Sequence, residues 1–394
     1  MKKTNFILML LIGVVVVLSS CKKDKDDDDD DPIVPQTITV NGEINTNVTW
    51  LAENTYLVDG SLDVDNGGVL TIEPGTTIKF TAGSYISVGY SAAGTIIANG
   101  TAEKPITFTS SAGMPTSGAW SGIRCYENTQ SGTIFNYCNV KYSGGDEYYG
   151  PFYLSNCKIT LTNSTFTNCA SNHTIFMPEG TSSDGFTAFS GNTISGNSGH
   201  AIKLPVNFAT QLSESNVITC GTGYGINISG DYTLADATIK NINIPYYIGD
   251  NDYISLTGKM NVAPGVIFKF GSNASMEIGY NASGYLNAIG TAELPITFTT
   301  SVSSPEPGAW NGLIFRSESH SGCNLTYCTV NFAGHDSYFS GNVTLEDCTI
   351  TVKNSTISNS ENYGITLRGT GALSAESTGN TFTGNAAGDV GTNP

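Results

Sequence analysis

Residues from about 50 to 146 of this chain reappear, without a gap, 190 positions later. Gly100-Thr-Ala-Glu-Lys-Pro-Ile-Thr-Phe-Thr109 returns as Gly290-Thr-Ala-Glu-Leu-Pro-Ile-Thr-Phe-Thr299, and Gly118-Ala-Trp-Ser-Gly-Ile123 returns as Gly308-Ala-Trp-Asn-Gly-Leu313. The offset moves to 191 only at Cys157 and Cys348, then to 188 at Gly191-Asn192 and Gly379-Asn380, so insertions are expected only in turns. A period this long is itself built of shorter units, and those decide the fold.

The shorter units are brief, alternating and rich in β-branched residues: Val69-Leu-Thr-Ile72, Thr77-Ile-Lys-Phe80, Ile106-Thr-Phe-Thr109, Lys158-Ile-Thr-Leu161 and Cys348-Thr-Ile-Thr351 all read as strands. Gly, Asn, Ser and Asp separate them, residues that accept left-handed backbone and cap their own turns. No stretch of helical period follows the first 20 residues. Short strands with frequent turns suggest a sandwich, a propeller or a solenoid. The register-preserving duplication favours the solenoid, because an added coil disturbs only its nearest neighbours.

The series Leu70-Thr-Ile-Glu-Pro-Gly-Thr-Thr-Ile-Lys-Phe80, then Gly100 to Thr109, then Trp120-Ser-Gly-Ile123, resembles the opening coils of bacterial right-handed parallel β-helix proteins of the pectate-lyase-like superfamily. Asn156-Cys-Lys-Ile159 and Asn163-Ser-Thr-Phe166 resemble their ordinary coils, and the resemblance covers nearly all of residues 38 to 390. It implies an all-β fold, a right-handed parallel β-helix made of two tandem duplicated halves, 37–227 and 228–394, the second continuous with the first. It does not imply an activity, because the matching residues are those that build coils.

In such a fold Ile72, Ile78, Phe80, Ile106 and Phe108 point inward and stack on the coils above and below, as do Val262, Phe268, Phe270, Ile296 and Phe298. At roughly 20 to 25 residues per coil the chain makes about 15 coils and a rod of about 70 Å.

Location is read from the first 36 residues. Lys2 and Lys3 precede an apolar run from Phe6 to Leu18, too short to span a membrane and suited to a signal peptide over residues 1–20. Leu18-Ser-Ser-Cys21 resembles a lipoprotein signal, which makes Cys21 the acylated first residue of the mature protein, carrying palmitate-type chains. The tract Lys22-Lys-Asp-Lys-Asp-Asp-Asp-Asp-Asp-Asp31 makes residues 21–36 a solvated tether. It resembles the acidic signal that sends lipoproteins of one Gram-negative lineage to the outer face of the outer membrane, although a simple spacer would look the same. The expected place is the cell surface, lipid-anchored in the outer membrane.

Charge narrows the partners. Of 34 acids and 17 bases, setting aside Lys2, Lys3 and the Lys22–Asp31 tract leaves 27 and 12, with only three arginines. No nucleic acid is expected, since phosphate binding depends on clustered Lys and Arg. A polyuronate would be repelled unless Ca2+ bridged the carboxylates. No cofactor is expected beyond that candidate Ca2+, and an extracellular neutral glycan or a protein is the easier partner.

The eight cysteines other than Cys21 include two duplicated positions, Cys138 with Cys328 and Cys157 with Cys348. Buried free thiols and stacked disulfides both fit an extracytoplasmic β-helix. Zinc is not expected, for want of any Cys-x-x-Cys pair.

The resemblance leads one to look for acidic Ca2+ ligands with an Arg or Lys base, or for clustered aspartates, and neither stands out. Asp146-Glu147 and Glu346-Asp347 are adjacent residues, which on a strand point to opposite faces. Asp146 and Asp336 fall about eight coils apart, roughly 38 Å, beyond the 5 to 10 Å or so over which glycosidase carboxylates cooperate. Asp63-Val-Asp-Asn-Gly-Gly68 has the start of a calcium loop but Pro74 at its twelfth position, and reads as a solvated turn.

One feature is repeated in both halves: Asp146 with Tyr148-Tyr149, and His335-Asp336 with Tyr338-Phe339. Aromatic faces stack on sugar rings and carboxylates accept hydroxyl hydrogen bonds, so Asp146, Tyr148, Tyr149, His335, Asp336 and Tyr338 are the expected ligand contacts. The same aromatics would also serve merely to cover a coil edge. Two readings follow: a surface-anchored, adhesin-like β-helix that binds glycans or other macromolecules without catalysis, which the weak catalytic constellation favours, and a polysaccharide lyase or glycoside hydrolase with a divergent site.

Overall fold

The computed structural model describes residues 34–393 apart from 171, 179–184, 197–198 and 222. Each turn of chain lays down three short strands at the corners of which glycine and asparagine take positive φ. Thr77–Phe80, Tyr85–Val88 and Gly94–Asn99 make one turn, and Ile106–Ser110, Gly122–Cys125 and Ile134–Asn136 make the next. Every strand pairs in parallel with its counterpart one turn on, giving a right-handed parallel β-helix of about 13 turns. The count falls below the expected 15 because turns are longer than assumed. Ile78 to Phe108 takes 30 residues and Phe108 to Val140 takes 32, the excess lying in loops between strands.

Alternation along each strand fills the interior. All ten residues expected to point inward are buried, from Ile72 and Phe108 in the first half to Phe270 and Phe298 in the second. On the first face Tyr56, Ile78, Phe108, Val140, Phe166, Ile194 and Ile218 form one inward ladder. The loops before Gly122–Cys125 and before its counterpart Gly312–Phe315 each drive a tryptophan into the core. Trp120 stacks on Phe80 at 3.9 Å and donates through Nε1 to Lys141 O, while Trp310 stacks on Phe270 at 4.1 Å and donates to Asn331 O.

The junction between the sequence-related halves holds a displacement. The second-face ladder of the first half runs Leu62, Ile86, Ile123, Phe152, Ile175, Ile202, Ile226, and then continues through Tyr246 to Phe268 and Phe298. Phe268 and Phe298 answer Ile78 and Phe108, which are first-face residues. The second half is therefore set one face round from the first. The cause is the seven-residue strand Ile226–Tyr232, whose start pairs on the old second face while Gly230–Tyr232 open a new ladder to Ile254 and Leu256. Gly230 turns the corner at φ +84°, and a single helical turn, Val206–Ala209, occupies the matching place on the preceding coil. The old first face ends at Val217–Ile218.

The eight described cysteines stand as thiols. Cys138 and Cys328 direct Sγ to Ala98 O and Ala288 O, and Cys157 and Cys348 to Cys125 O and Phe315 O, each inside the core or at its corner. Burial raises the thiols of Cys138 and Cys348 to about 12.

Candidate functional site

The second face of the early turns carries the site. Leu62 and Val64, Ile86 and Val88, and Ile123 and Cys125 are buried, so the residue between each pair points outward. Register stacks those residues in a column in which Glu43 lies beside Asp63, Asp63 beside Ser87, Ser87 beside Arg124, and Arg124 beside Tyr153. Glu43, Asp63, Ser87 and Arg124, with Asp65, Asn66, Tyr85, Tyr90, Ser91, Tyr126 and Tyr149, line a cavity of about 450 Å³, within the range of small-ligand sites.

Arg124 is its centre. The guanidinium lies 4.0 Å from the ring centres of both Tyr85 and Tyr149, and Nη2 donates to Asp146 Oδ2 at 2.9 Å. The residue is 8% exposed, and its Nε is buried without a hydrogen-bond partner. It is a fixed positive charge whose planar fork is held in one plane by two rings. Tyr126 packs edge-on to Tyr90 and Tyr149 at 5.0 and 6.4 Å. Burial, then the hydrogen bond and proximity of Tyr149, raise its phenol well above the usual tyrosine value, while Arg124 pulls the other way. Burial also raises the Tyr153 phenol. These tyrosines are neutral hydrogen-bonding groups with apolar ring faces.

The acids face Arg124 from the lower turns. Ser87 Oγ donates to Asp63 and Asn66 Nδ2 donates to Glu43. Asp65 is buried, and its two oxygens accept from Ser91 N and Ala92 N at 2.9 Å. The segment read as a solvated turn is therefore a capped corner, with Asp65 holding the next coil's corner in place. Among the described residues none of these three acids is ion-paired, and no group of three His, Cys, Asp or Glu side chains is gathered as a metal site.

Of the residues singled out in the sequence, Asp146 and Tyr149 are brought together on Arg124. Tyr148 is 65% exposed and meets Tyr149 edge-on at 4.8 Å and Phe176 at 6.4 Å. The counterpart turn is differently used. Asp336 Oδ1 accepts from Tyr338 N and Phe339 N at 2.7 and 2.9 Å, capping its own loop. Tyr338 donates to Glu346 and lies 3.6 Å under the Arg368 guanidinium, and His335 Nδ1 sits 3.7 Å from Glu361. Arg316 lies between Phe339 and Tyr280, at 4.0 and 5.0 Å, but carboxylates of Glu277 and Glu346 hold it on both sides at 3.0 Å. The two Asp-aromatic turns are seven rungs apart, not eight, and look out from different faces. They form no common site.

Glu43, Asp65, Tyr85, Tyr90, Arg124 and Tyr126 escaped the sequence reading as a group. Alternation marks Arg124 as outward, but that Ser87 is its neighbour 37 positions away depends on the register of the turn between. Cys21, the leader and the charged tract to residue 33 lie outside the described residues.

A family model described as a Pectate-lyase like beta helix domain matches residues 42–133, which hold most of the cavity's wall. No curated protein and no solved structure matches the chain. The opening turns are thus similar to the pectate-lyase like β-helix domain, and the chain folds as a parallel β-helix of that kind.

Proposed function

We propose that this protein is a non-catalytic glycan-binding β-helix, carried on the cell surface by lipid on Cys21. The observation that supports it is the tyrosine-walled cavity around Arg124. Rings at Tyr90 and Tyr149 offer stacking faces, the carboxylates of Glu43 and Asp63 accept sugar hydroxyls, and Arg124 holds the wall in register. Arg124 is engaged by Asp146 and two rings, and an arginine does not surrender its proton in proteins, which argues for positioning over proton abstraction.

The test is incubation of the chain from residue 32 with neutral and uronate polysaccharides, with and without Ca2+, following both retention and cleavage. Retention without cleavage is expected, weakened about tenfold by Tyr149→Ala. Ca2+-dependent unsaturated products would make the protein a lyase, and absence of retention on every glycan would remove the reading. For the anchor, Cys21→Ala with a cleaved leader is expected to move the protein from membranes to the soluble fraction. Continued membrane association of that variant would refute lipidation at Cys21.

A further inference from the structure

The charges in the cavity point to the kind of sugar. Arg124 is the one cation among the described residues of its wall, and Asp146 at 2.9 Å neutralises it. Glu43 and Asp63 sit on adjacent rungs and both line the cavity, and no lysine, arginine or histidine among the described residues pairs with either. Like charges one rung apart repel, and the fold tolerates them at an opening toward solvent, where Tyr90 stands 64% exposed. Carboxylates beside electron-rich ring faces are the general means of recognising an ammonium group. At the other end, the nine-tenths buried Arg124 has an Nε with no acceptor. A ligand that suits both ends carries a protonated amine for Glu43 and Asp63, hydroxyl oxygens for the Arg124 end and an apolar ring face for the tyrosines.

Resting on the glycan reading above, we propose that the cavity is selective for amine-bearing sugars, that is, for glycans containing 2-amino-2-deoxy units with a free amino group. A neutral chain offers Glu43 and Asp63 hydroxyl hydrogen bonds alone and a uronate chain adds repulsion, whereas an ammonium group also balances their charge. The selectivity is local: it belongs to this column and not to the protein's overall negative charge of −17. In the second half the positions answering Glu43 and Asp63 are Thr233 and Tyr253, and Arg316 is already held by two carboxylates, so no equivalent preference arises there.

The test compares three tetrasaccharides of equal length by calorimetry at physiological salt: the β-1,4-linked tetramer of glucosamine, its N-acetylated form and the glucose tetramer. The glucosamine tetramer should bind about tenfold more tightly than the other two. That preference should disappear in Glu43→Gln/Asp63→Asn, and overall affinity should fall in Tyr90→Ala, an exposed position whose substitution leaves the core untouched. The charge-matched control Glu293→Gln/Glu306→Gln, two exposed acids of the second half, should keep the preference. Equal binding of all three tetramers overturns amine selectivity while leaving the glycan reading intact. A preference that survives Glu43→Gln/Asp63→Asn, or that is lost equally in the control, overturns it in favour of diffuse charge attraction. Binding of none of the three, together with no retention on larger glycans, overturns both.

Discussion

Two arginines in equivalent surroundings are used in opposite ways. Arg124 and Arg316 are not aligned, since the 190 offset pairs Arg124 with Ile314 and Tyr126 with Arg316, yet each lies against an aromatic of the same repeated turn, Tyr149 or Phe339. One carboxylate and an open cavity meet Arg124, whereas two carboxylates close around Arg316. Farther along the same outward face, His173 stands one rung from His200 and packs on Phe176 at 4.5 Å. Burial, then the charges of Lys203 and His200, hold its imidazole down at about 4. A histidine with a depressed native pKa contributes stability that is complete above its unfolded value of about 6.5 and is lost as pH falls toward 4. His173→Phe should therefore spare the protein about 2 kcal/mol of the stability lost between pH 7 and pH 4. Urea midpoints of both proteins at the two pH values check it, and parallel losses would show that His173 is not the group responsible. None of this was legible beforehand. The sequence offers four histidines without counterparts, and a pKa is set by the rung above, which no local pattern reveals.

Corners hold the strands in line. Asn192 is fully buried: its Oδ1 accepts from Ser164 N at 3.0 Å, its Nδ2 donates to Leu161 O at 2.9 Å, and its own N–H goes to Asn216 Oδ1 on the next turn. Asn380 makes the equivalent pair of bonds to Ser355 N and Val352 O near the end of the helix, where it is only half-buried. Asn192→Ala strands a buried donor and a buried acceptor, so it should cost about 2–3 kcal/mol. Asn380→Ala, whose orphaned groups are nearer water, should cost about 1 kcal/mol. Urea unfolding measures both, and equal costs would mean that burial does not govern these corners. The strands themselves were readable, since alternation alone placed Ile78, Phe108, Phe268 and Phe298 inside. The corners were readable only as Gly-Asn pairs, because the partner of Asn192 lies 28 residues back, on another coil.

Over the whole molecule, turns of unequal length decide what meets what. The loops before Gly122 and Phe152 lengthen their turns, and this both lowered the number of coils and carried Asp146 and Tyr149 onto Arg124. The one-face step at Ile226–Tyr232 lies between the two gapless segments, about 50–146 and 240–336, so the repeat itself carries no mark of it. Gly225 enters that step where a Cβ would lie 2.2 Å from Pro245 O and 2.9 Å from the Tyr247 ring. Gly225→Ala should force these turns apart at a cost of about 2 kcal/mol. In a solenoid the damage stays with nearest neighbours, so limited proteolysis should newly cut the variant between 217 and 245 and leave two resistant fragments. Cleavage spread over the chain would contradict that locality. The step also bears on how the chain avoids mistaking one copy of itself for the other. Tandem segments with the same strand pattern invite exchange during folding, a strand of one finding a template in the matching part of the other. Here a strand of the second copy that added onto the first would extend a ladder at the wrong corner and leave the following loop too short to reach its own face. Exchange therefore fails at the first turn, and the angle between the two segments guards the fidelity of assembly alongside the differences in their sequences.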